Sequence, residues 1–240
     1  RVFVSTVVQG MTTFLEWLFN LSSLIGLPYY GMAIVLFTVL IKVLLYPLTW
    51  KQMTSMRKMT ALQPKMKELQ KKYSNDKQKL NQKVMELYSK EQVNPYAGCL
   101  PIIIQLPILW AFYRTLFQLP TTLGLQGNEP SVWFLGYNIT VAYGFSLSYH
   151  LLLPLLAGAS TYLMTKVSTA TNPNAGSAPS GAEQTQKFML LFMPLFLAYI
   201  VGTLPSGLGL YIVTMNIMSI FQTIYINKKL SAEKAKAKPA

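Results

Sequence analysis

The sequence has very few of the residue types that carry catalysis or bind metals. Among its 240 residues there is one cysteine, Cys99, and one histidine, His150. One of each excludes an intramolecular disulfide and a zinc site of the usual kind. No Gly-Lys pair occurs, so a phosphate-binding loop of the GxxxxGK[ST] type is missing as well. These absences predict a protein that is not an enzyme, with no catalytic residue, metal or cofactor.

Charged residues are also scarce, at 12% of the chain against roughly 25% in a typical soluble domain. Apolar runs of about 20 residues, the length that crosses a bilayer core of about 30 Å, separate the charged segments. We therefore predict an all-α integral membrane protein with five transmembrane helices, at residues 29–48, 98–119, 145–165, 188–204 and 207–226. None of these spans contains Asp or Glu, which argues against a carboxylate proton relay.

The first 28 residues have a different pattern from the spans. Apolar residues recur at spacings of three and four between Phe3 and Ile25, and a second stripe of the same segment is polar. A helix surrounded by lipid needs no polar stripe, whereas a helix lying in the membrane interface does. We therefore predict that residues 1–28 form an amphipathic interfacial helix on the outer surface. A poorly hydrophobic first transmembrane helix is the alternative.

The basic residues are distributed unevenly along the chain. Three segments hold eleven, two and five Lys or Arg residues, namely 51–93, 166–187 and 227–240, whereas segments 1–28, 120–144 and 205–206 hold only Arg1. The positive-inside rule then predicts an N-terminus outside and a C-terminus in the cytoplasm. The segments themselves are interpreted as a basic helical hairpin at 49–97, an outer loop at 120–144, a flexible cytoplasmic loop at 166–187 and a basic tail at 227–240.

Lys42 is the most informative residue, because it lies inside the first predicted span among leucine, isoleucine and valine. A central lysine costs about 2.5–3.5 kcal/mol on insertion scales, so such residues usually face a polar cavity. Its side chain could instead extend to the cytoplasmic surface, roughly 9 Å away. Thr38, one turn earlier, favours a polar groove. Gln105, Asn216 and Gln222 are interpreted as hydrogen-bonding partners between helices.

An ordered set of short motifs strongly resembles the YidC membrane protein insertases, in a stretch from about residue 20 to 230. The matching motifs are Leu45-Tyr46-Pro47-Leu48-Thr49, Leu62-Gln63-Pro64-Lys65, Asn94-Pro95, Gly98-Cys99-Leu100-Pro101, Gln105-Leu106-Pro107-Ile108, Phe192-Met193-Pro194, Leu204-Pro205-Ser206-Gly207-Leu208 and Leu210-Tyr211. The resemblance is to the compact bacterial form, which is related to mitochondrial and chloroplast insertases. It implies a five-helix core, an outer interfacial helix and a cytoplasmic helical hairpin.

The resemblance also implies a mechanism. Family members have a positively charged groove, open to cytoplasm and lipid, that receives the polar segment of a client before its helix enters the lipid without nucleotide. The groove charge is usually arginine, where this chain has Lys42; lysine keeps the charge but loses the planar fork. Thr38, Gln105 and Tyr211 match groove or core-facing positions, and Asn216 and Gln222 are further candidates for the groove lining.

The partners implied are nascent membrane proteins, membrane lipid and the ribosome, together with the Sec translocon and the signal recognition particle pathway, but no DNA. We expect the basic hairpin and tail to contact the ribosome, with the hairpin contacts at Arg57, Lys58, Lys65, Lys71 and Lys72. The expected location is the bacterial plasma membrane. Two alternatives remain: a small-solute transporter or channel, based on polar residues within spans, and a membrane scaffold that docks ribosomes.

Overall fold

The computed structural model describes residues 2–93, 100–122, 124, 129–145, 148–171 and 182–236, and these residues are mostly helical. The helices are α1 (Val2–Leu24), α2 (Tyr30–Leu44), α3 (Tyr46–Ala61), α4 (Gln63–Lys72), α5 (Lys77–Lys90), α6 (Leu100–Thr122), α7 (Leu152–Thr171), α8 (Ala182–Thr203) and α9 (Ser206–Lys236). Two short strands, β1 (Trp133–Phe134) and β2 (Tyr137–Asn138), form an antiparallel pair. The 3₁₀ turns are Pro130–Val132 and Tyr149–Leu151.

Two helices of the described part are long and apolar enough to cross a membrane, Tyr149–Thr169 and Ser206–Ala232. A third span results if α2 and α3, which are bent by 55° at their junction, are counted as one. A shorter apolar helix covers Leu190–Thr203. These lengths are consistent with an all-α membrane protein, and the number of five spans stays a prediction.

The bend between α2 and α3 has a local cause in the sequence. Pro47 lies in the first turn of α3. Proline has no backbone N–H to continue the ladder of the preceding helix, but its fixed φ suits the first turn of a new one. Leu45 joins the two helices and donates its N–H to the carbonyl of Ile41 at 2.9 Å. The chain therefore changes direction here while both helices remain intact.

The main core lies between α1, α2, α6 and α9 and has an aromatic centre. The ring of Phe112 is stacked on those of Phe37 and Tyr211, with centroid distances of 5.7 and 4.7 Å. Leu15 and Leu18 of α1 are buried against this core, whereas Trp17 of the same helix is 54% exposed. Helix α1 therefore packs on the bundle with one face, and its position in the membrane interface stays a prediction.

The segment 129–145 closes one end of this bundle. Helix α9 begins there, and its first N–H groups have no partner within the helix. The N–H of Ser206 donates to the carbonyl of Val141, and that of Gly207 to the carbonyl of Ile139, both at 2.9 Å. A Cβ at Gly207 would lie 2.9 Å from the same Ile139 oxygen, so only glycine permits this close approach. This end of the bundle is therefore sealed by backbone hydrogen bonds.

A second, smaller core forms between α4 and α5. Asp76 begins α5 by accepting a hydrogen bond from the N–H of Lys79 at 2.9 Å, which is a typical N-cap interaction. The two helices bury a set of mainly aliphatic side chains between them, namely Leu62, Met66, Leu80, Val84, Tyr88 and Val93. Their other faces carry exposed lysines. The position of this helix pair on the cytoplasmic side of a membrane stays a prediction.

Candidate functional site

A polar cavity lies between α2, α3, α6 and α9, on the side of the aromatic core away from the sealed end. The cavity and the open space at its mouth together amount to about 500 Å³. Its lining on α2 comes from residues at positions i, i+3, i+4 and i+7, which share one helix face. The lining residues are Thr38, Ile41, Lys42, Leu45, Leu48, Thr49, Gln52, Ile104, Gln105, Tyr211 and Met215.

Helix α9 contacts both the side chain and the backbone of Lys42. Its Nζ donates to the hydroxyl of Ser219, and this hydroxyl donates to the carbonyl of Met215 at 2.7 Å. The Nε2 of Gln222 donates to the backbone carbonyl of Lys42 at 2.8 Å. Ser219 and Gln222 are three residues apart, so they lie on the same face of α9. Helix α9 therefore fixes the position of the lysine along the cavity wall.

The charge of Lys42 is not neutralised by any described carboxylate. The described ion pairs join Lys65 to Glu91 and Lys83 to Glu86, both on the small helical pair. An ammonium group has three donors, and Ser219 takes one of them. The cavity can therefore offer a positive charge, with donors to spare, to an acidic or polar group that enters it.

Three other predicted groove residues lie at the cavity with Lys42. Gln105 donates through Nε2 to the hydroxyl of Tyr211, which connects α6 to α9. Tyr211 is 2% exposed and is among the residues that line the cavity. Thr38 uses its hydroxyl to donate to the carbonyl of Ile34 at 2.7 Å in its own helix. Gln105, Tyr211 and Thr38 thus use part of their hydrogen-bonding capacity within the protein, and the ammonium group of Lys42 keeps spare donors.

The remaining two groove candidates occupy different positions. Asn216 faces α7, where its Nδ2 donates to the hydroxyls of Ser160 and Thr161 at 3.1 and 2.8 Å. It therefore joins two helices and is not among the cavity-lining residues. Gln222 lies behind the cavity wall and touches the site only through the backbone of Lys42.

Sequence reasoning did not single out Ser219, Thr49 or Gln52. Ser219 lies four residues after Met215 on one face of α9. This spacing was the signal that could have placed Ser219 near the cavity. Thr49 and Gln52 follow the predicted end of the first span and were assigned to the basic hairpin. The continuation of α3 beyond the bend brings them to the cavity.

The five basic residues predicted to contact partners fall into two groups. Arg57 donates to the side-chain oxygen of Asn227 on α9, and Lys65 pairs with Glu91 at 2.6 Å. The Lys65 ammonium holds the pKa of the Glu91 carboxyl below its usual value. Lys58, Lys71 and Lys72 are exposed. Residues of the small helical pair therefore still offer positive charge to a partner.

In its described residues the chain has no cluster of three or more His, Cys, Asp or Glu side chains placed to hold a metal.

The comparisons with known proteins agree with the family resemblance of the sequence motifs. The family model described as "60Kd inner membrane protein" matches residues 20–234.

Several curated relatives are similar to this chain, and each is named "Membrane protein insertase YidC". The one from Wolinella succinogenes is 36% identical over 240 residues, which are 99% of this chain and 40% of the relative. The one from Helicobacter pylori (strain 26695) is 37% identical over 231 residues, 96% of this chain and 38% of the relative. The one from Oceanobacillus iheyensis is 40% identical over 210 residues, 85% of this chain and 77% of the relative. The chain therefore spans about two fifths of the first relatives and most of the third.

Proposed function

Because this chain belongs to the 60Kd inner membrane protein family, which includes the YidC membrane protein insertases, we propose that it inserts other proteins into the membrane. This confirms the family predicted from the motifs, which is a family of insertases and not of enzymes. The observation that carries the proposal for this chain is the charge of Lys42, a residue that lines the cavity and has no carboxylate partner among the described residues.

The cavity is proposed to receive the polar segment of a nascent membrane protein. An acidic or polar group of the client exchanges water for the spare donors of Lys42 and for the polar side chains of Gln105 and Gln52. Hydration partway through the membrane lowers the barrier for moving that segment across. The exposed apolar surface of the neighbouring helices then offers the client helix a route into lipid.

The free energy for the step is proposed to come from the client, without nucleotide. Each leucine-like residue of a client helix contributes about −0.3 to −0.6 kcal/mol on entering the bilayer centre. A span of about 20 such residues therefore gains roughly 6–12 kcal/mol, which exceeds the cost of one central charge at roughly 2.5–3.5 kcal/mol. The protein has to lower only the barrier, since the overall transfer is favourable.

The proposed topology follows from the basic residues. If the five predicted spans cross the membrane, α3, α4 and α5 lie in the cytoplasm. The cavity then opens toward the cytoplasm, and segment 129–145 closes the outer end. The basic faces of α4 and α5 and the C-terminal end of α9 are proposed to contact the ribosome. The signal recognition particle pathway and the Sec translocon are the proposed delivery and cooperation partners in the bacterial plasma membrane.

Client insertion in an insertase-depleted bacterial strain tests the role of Lys42. We expect Lys42→Ala to lower insertion at least about tenfold, because two unit charges 4 Å apart attract by about 4 kcal/mol at an effective dielectric constant of 20. Lys42→Arg is expected to keep most of the activity. Lys166→Ala, which removes an exposed lysine of α7, serves as the matched control. Full insertion by Lys42→Ala at equal expression would exclude a role for this charge.

A further inference from the structure

Arg57 of α3 makes an extensive set of contacts with the C-terminal part of α9. Its Nε and Nη2 donate to the side-chain oxygen of Asn227 at 3.1 and 2.8 Å. The same Nη2 also donates to the backbone carbonyl of Asn227 at 2.8 Å and to the hydroxyl of Ser231 at 3.1 Å. A planar guanidinium is suited to such a fork, and hydrogen bonds to a charged donor are stronger than those between neutral groups.

A second contact joins the same two helices a short distance away. The ammonium group of Lys229 lies 5.1 Å from the centroid of the Trp50 ring, within the range of a cation–π interaction. Trp50 and Arg57 are seven residues apart, which is about two turns of one helix face. Helix α3 is therefore held against α9 along a line, and each helix contributes one cation to the contact.

The state of Asn227 indicates that this contact is specific. Asn227 is 7% exposed, and its Nδ2 is buried without a partner among the residues that the structure describes, while its Oδ1 accepts from Arg57. Leaving a buried donor unpaired costs about 1–3 kcal/mol in general. An amide held in this way contributes its oxygen to Arg57 at the expense of its own nitrogen. The Asn227 amide is therefore oriented by its contact with Arg57.

The contact lies next to the polar cavity. Helix α3 contributes Leu48, Thr49 and Gln52 to the lining, and α9 contributes Tyr211 and Met215. Helix α3 departs from α2 at the 55° bend, so its position relative to α9 is not determined by the straight part of α2. Whatever holds α3 against α9 therefore sets the distance between two walls of the cavity.

We propose that Arg57 and Asn227 form a latch that holds α3 against α9 and keeps the mouth of the Lys42 cavity narrow. Arg57 is then a positioning residue for the site, in place of the partner contact predicted from its charge. Release of the latch moves α3 outward and widens the entry for a polar client segment. The biological meaning of this inference rests on the proposed insertase function, whereas the motion itself can be measured without a client.

Cysteine accessibility in lipid nanodiscs, where both membrane faces meet solvent, tests the latch. The parent chain carries Cys99→Ser and a reporter, Thr49→Cys, on the cavity wall, and reacts with a negatively charged maleimide. Removing a charged hydrogen-bond partner shifts an equilibrium about tenfold or more. We therefore expect Arg57→Ala to raise the rate of modification about tenfold. Arg57→Lys, which keeps the charge but not the fork, should fall between the two.

Two further variants separate a latch from a general loss of structure. Asn227→Asp converts the acceptor into a carboxylate, strengthens the pair and should slow the modification below the parent rate, which misfolding would not do. Lys51→Ala removes an exposed cation from the same helix and should leave the rate unchanged. Equal rates for Arg57→Ala, Asn227→Asp and the parent would overturn the proposal.

Client insertion by the chain with Thr49 and Cys99 unchanged separates this inference from the proposed function. If this chain inserts no client while the accessibility of the reporter chain still responds to Arg57→Ala, the latch stands and the insertase function fails. If it inserts clients but the accessibility of the reporter chain does not respond, the latch fails and the function is unaffected.

Discussion

The two ends of helix α2 have opposite surroundings. Near Tyr30 its residues Gly31, Ala33 and Ile34 are buried under apolar side chains and segment 129–145. About 18 Å further along the same helix, Lys42 faces a polar cavity. One end is buried and covered by segment 129–145, and the other has a charge without a carboxylate partner among the described residues, in a space that is partly open.

The difference lies in which groups satisfy the hydrogen bonds at each end. At the closed end the free N–H groups of α9 donate to loop carbonyls, and the Ser206 hydroxyl donates to the carbonyl of Asn138 at 2.7 Å. Backbone groups cannot leave such bonds without moving a whole element. At the cavity the donors and acceptors are mostly side chains, which can exchange partners by rotating. Backbone hydrogen bonds therefore hold the closed end, whereas side chains that can exchange partners line the cavity that is proposed to bind a client.

The largest expected effect in this comparison concerns the aromatic core that separates the two ends. Phe112 has no exposed surface and stacks on Phe37 and Tyr211. We expect Phe112→Ala to lower the free energy of unfolding by about 3–5 kcal/mol through the cavity it leaves. Reversible unfolding in mixed micelles measures the change. Phe117→Ala, on the same helix but 65% exposed, is the matched control and should change it by less than about 0.5 kcal/mol. Equal losses for both would mean that the core is not packed as described.

A smaller loss of unfolding free energy is expected at Asn216. This prediction distinguishes a polar residue that joins two helices from one that lines the cavity. Asn216→Ala removes the hydrogen bonds to Ser160 and Thr161. Interhelical hydrogen bonds in membranes contribute about 0.6 kcal/mol on average and up to about 1.7. We expect a loss of unfolding free energy in this range, with insertion per folded molecule maintained. The opposite result, normal stability with reduced insertion, would return Asn216 to the groove lining.

The smallest effect is expected at the exposed pair of Lys65 and Glu91, where water screens the charges. The pKa of the Glu91 carboxyl is lowered by its hydrogen bond and charge interaction with Lys65. The stabilisation by this pair is therefore present above the ordinary pKa of a glutamate and is lost as the pH falls through the lowered value. NMR titration should find a midpoint below the ordinary value, and Lys65→Met should restore it. A midpoint that Lys65→Met does not raise would contradict the pairing.

Much of the fold could be inferred from local patterns. The apolar spacing in residues 1–28 predicted a helix, and α1 covers Val2–Leu24, whereas its place in the membrane interface stays a prediction. Pro47 and Pro64 mark the starts of α3 and α4. The helix boundaries were harder to predict from the sequence. Helix α9 continues to Lys236, ten residues past the apolar run, because helical hydrogen bonds persist in polar sequence while hydropathy reports only the environment.

The candidate site could be predicted only in part from the sequence, for a similar reason. Lys42 was identified because a lysine among apolar residues is costly wherever the chain folds. Its grouping with Thr38 was expected from helical spacing and from family resemblance, and its grouping with Gln105 and Tyr211 from the resemblance alone. The structure places all four at one cavity. Ser219 and the Arg57–Asn227 contact were missed, since a serine or an asparagine within a helix has no local pattern that identifies its partner.

The sequence by itself determined the class of the protein: helical, membrane-embedded, basic in defined segments, and with one charge where charge is expensive. These properties depend on composition and on periods of a few residues. Only the tertiary structure decided what meets that charge, because Ser219 is 177 residues from Lys42 along the chain. The crossing of α2 and α9, the bend before α3 and the sealing of one end arise from packing between distant segments, which no local period specifies.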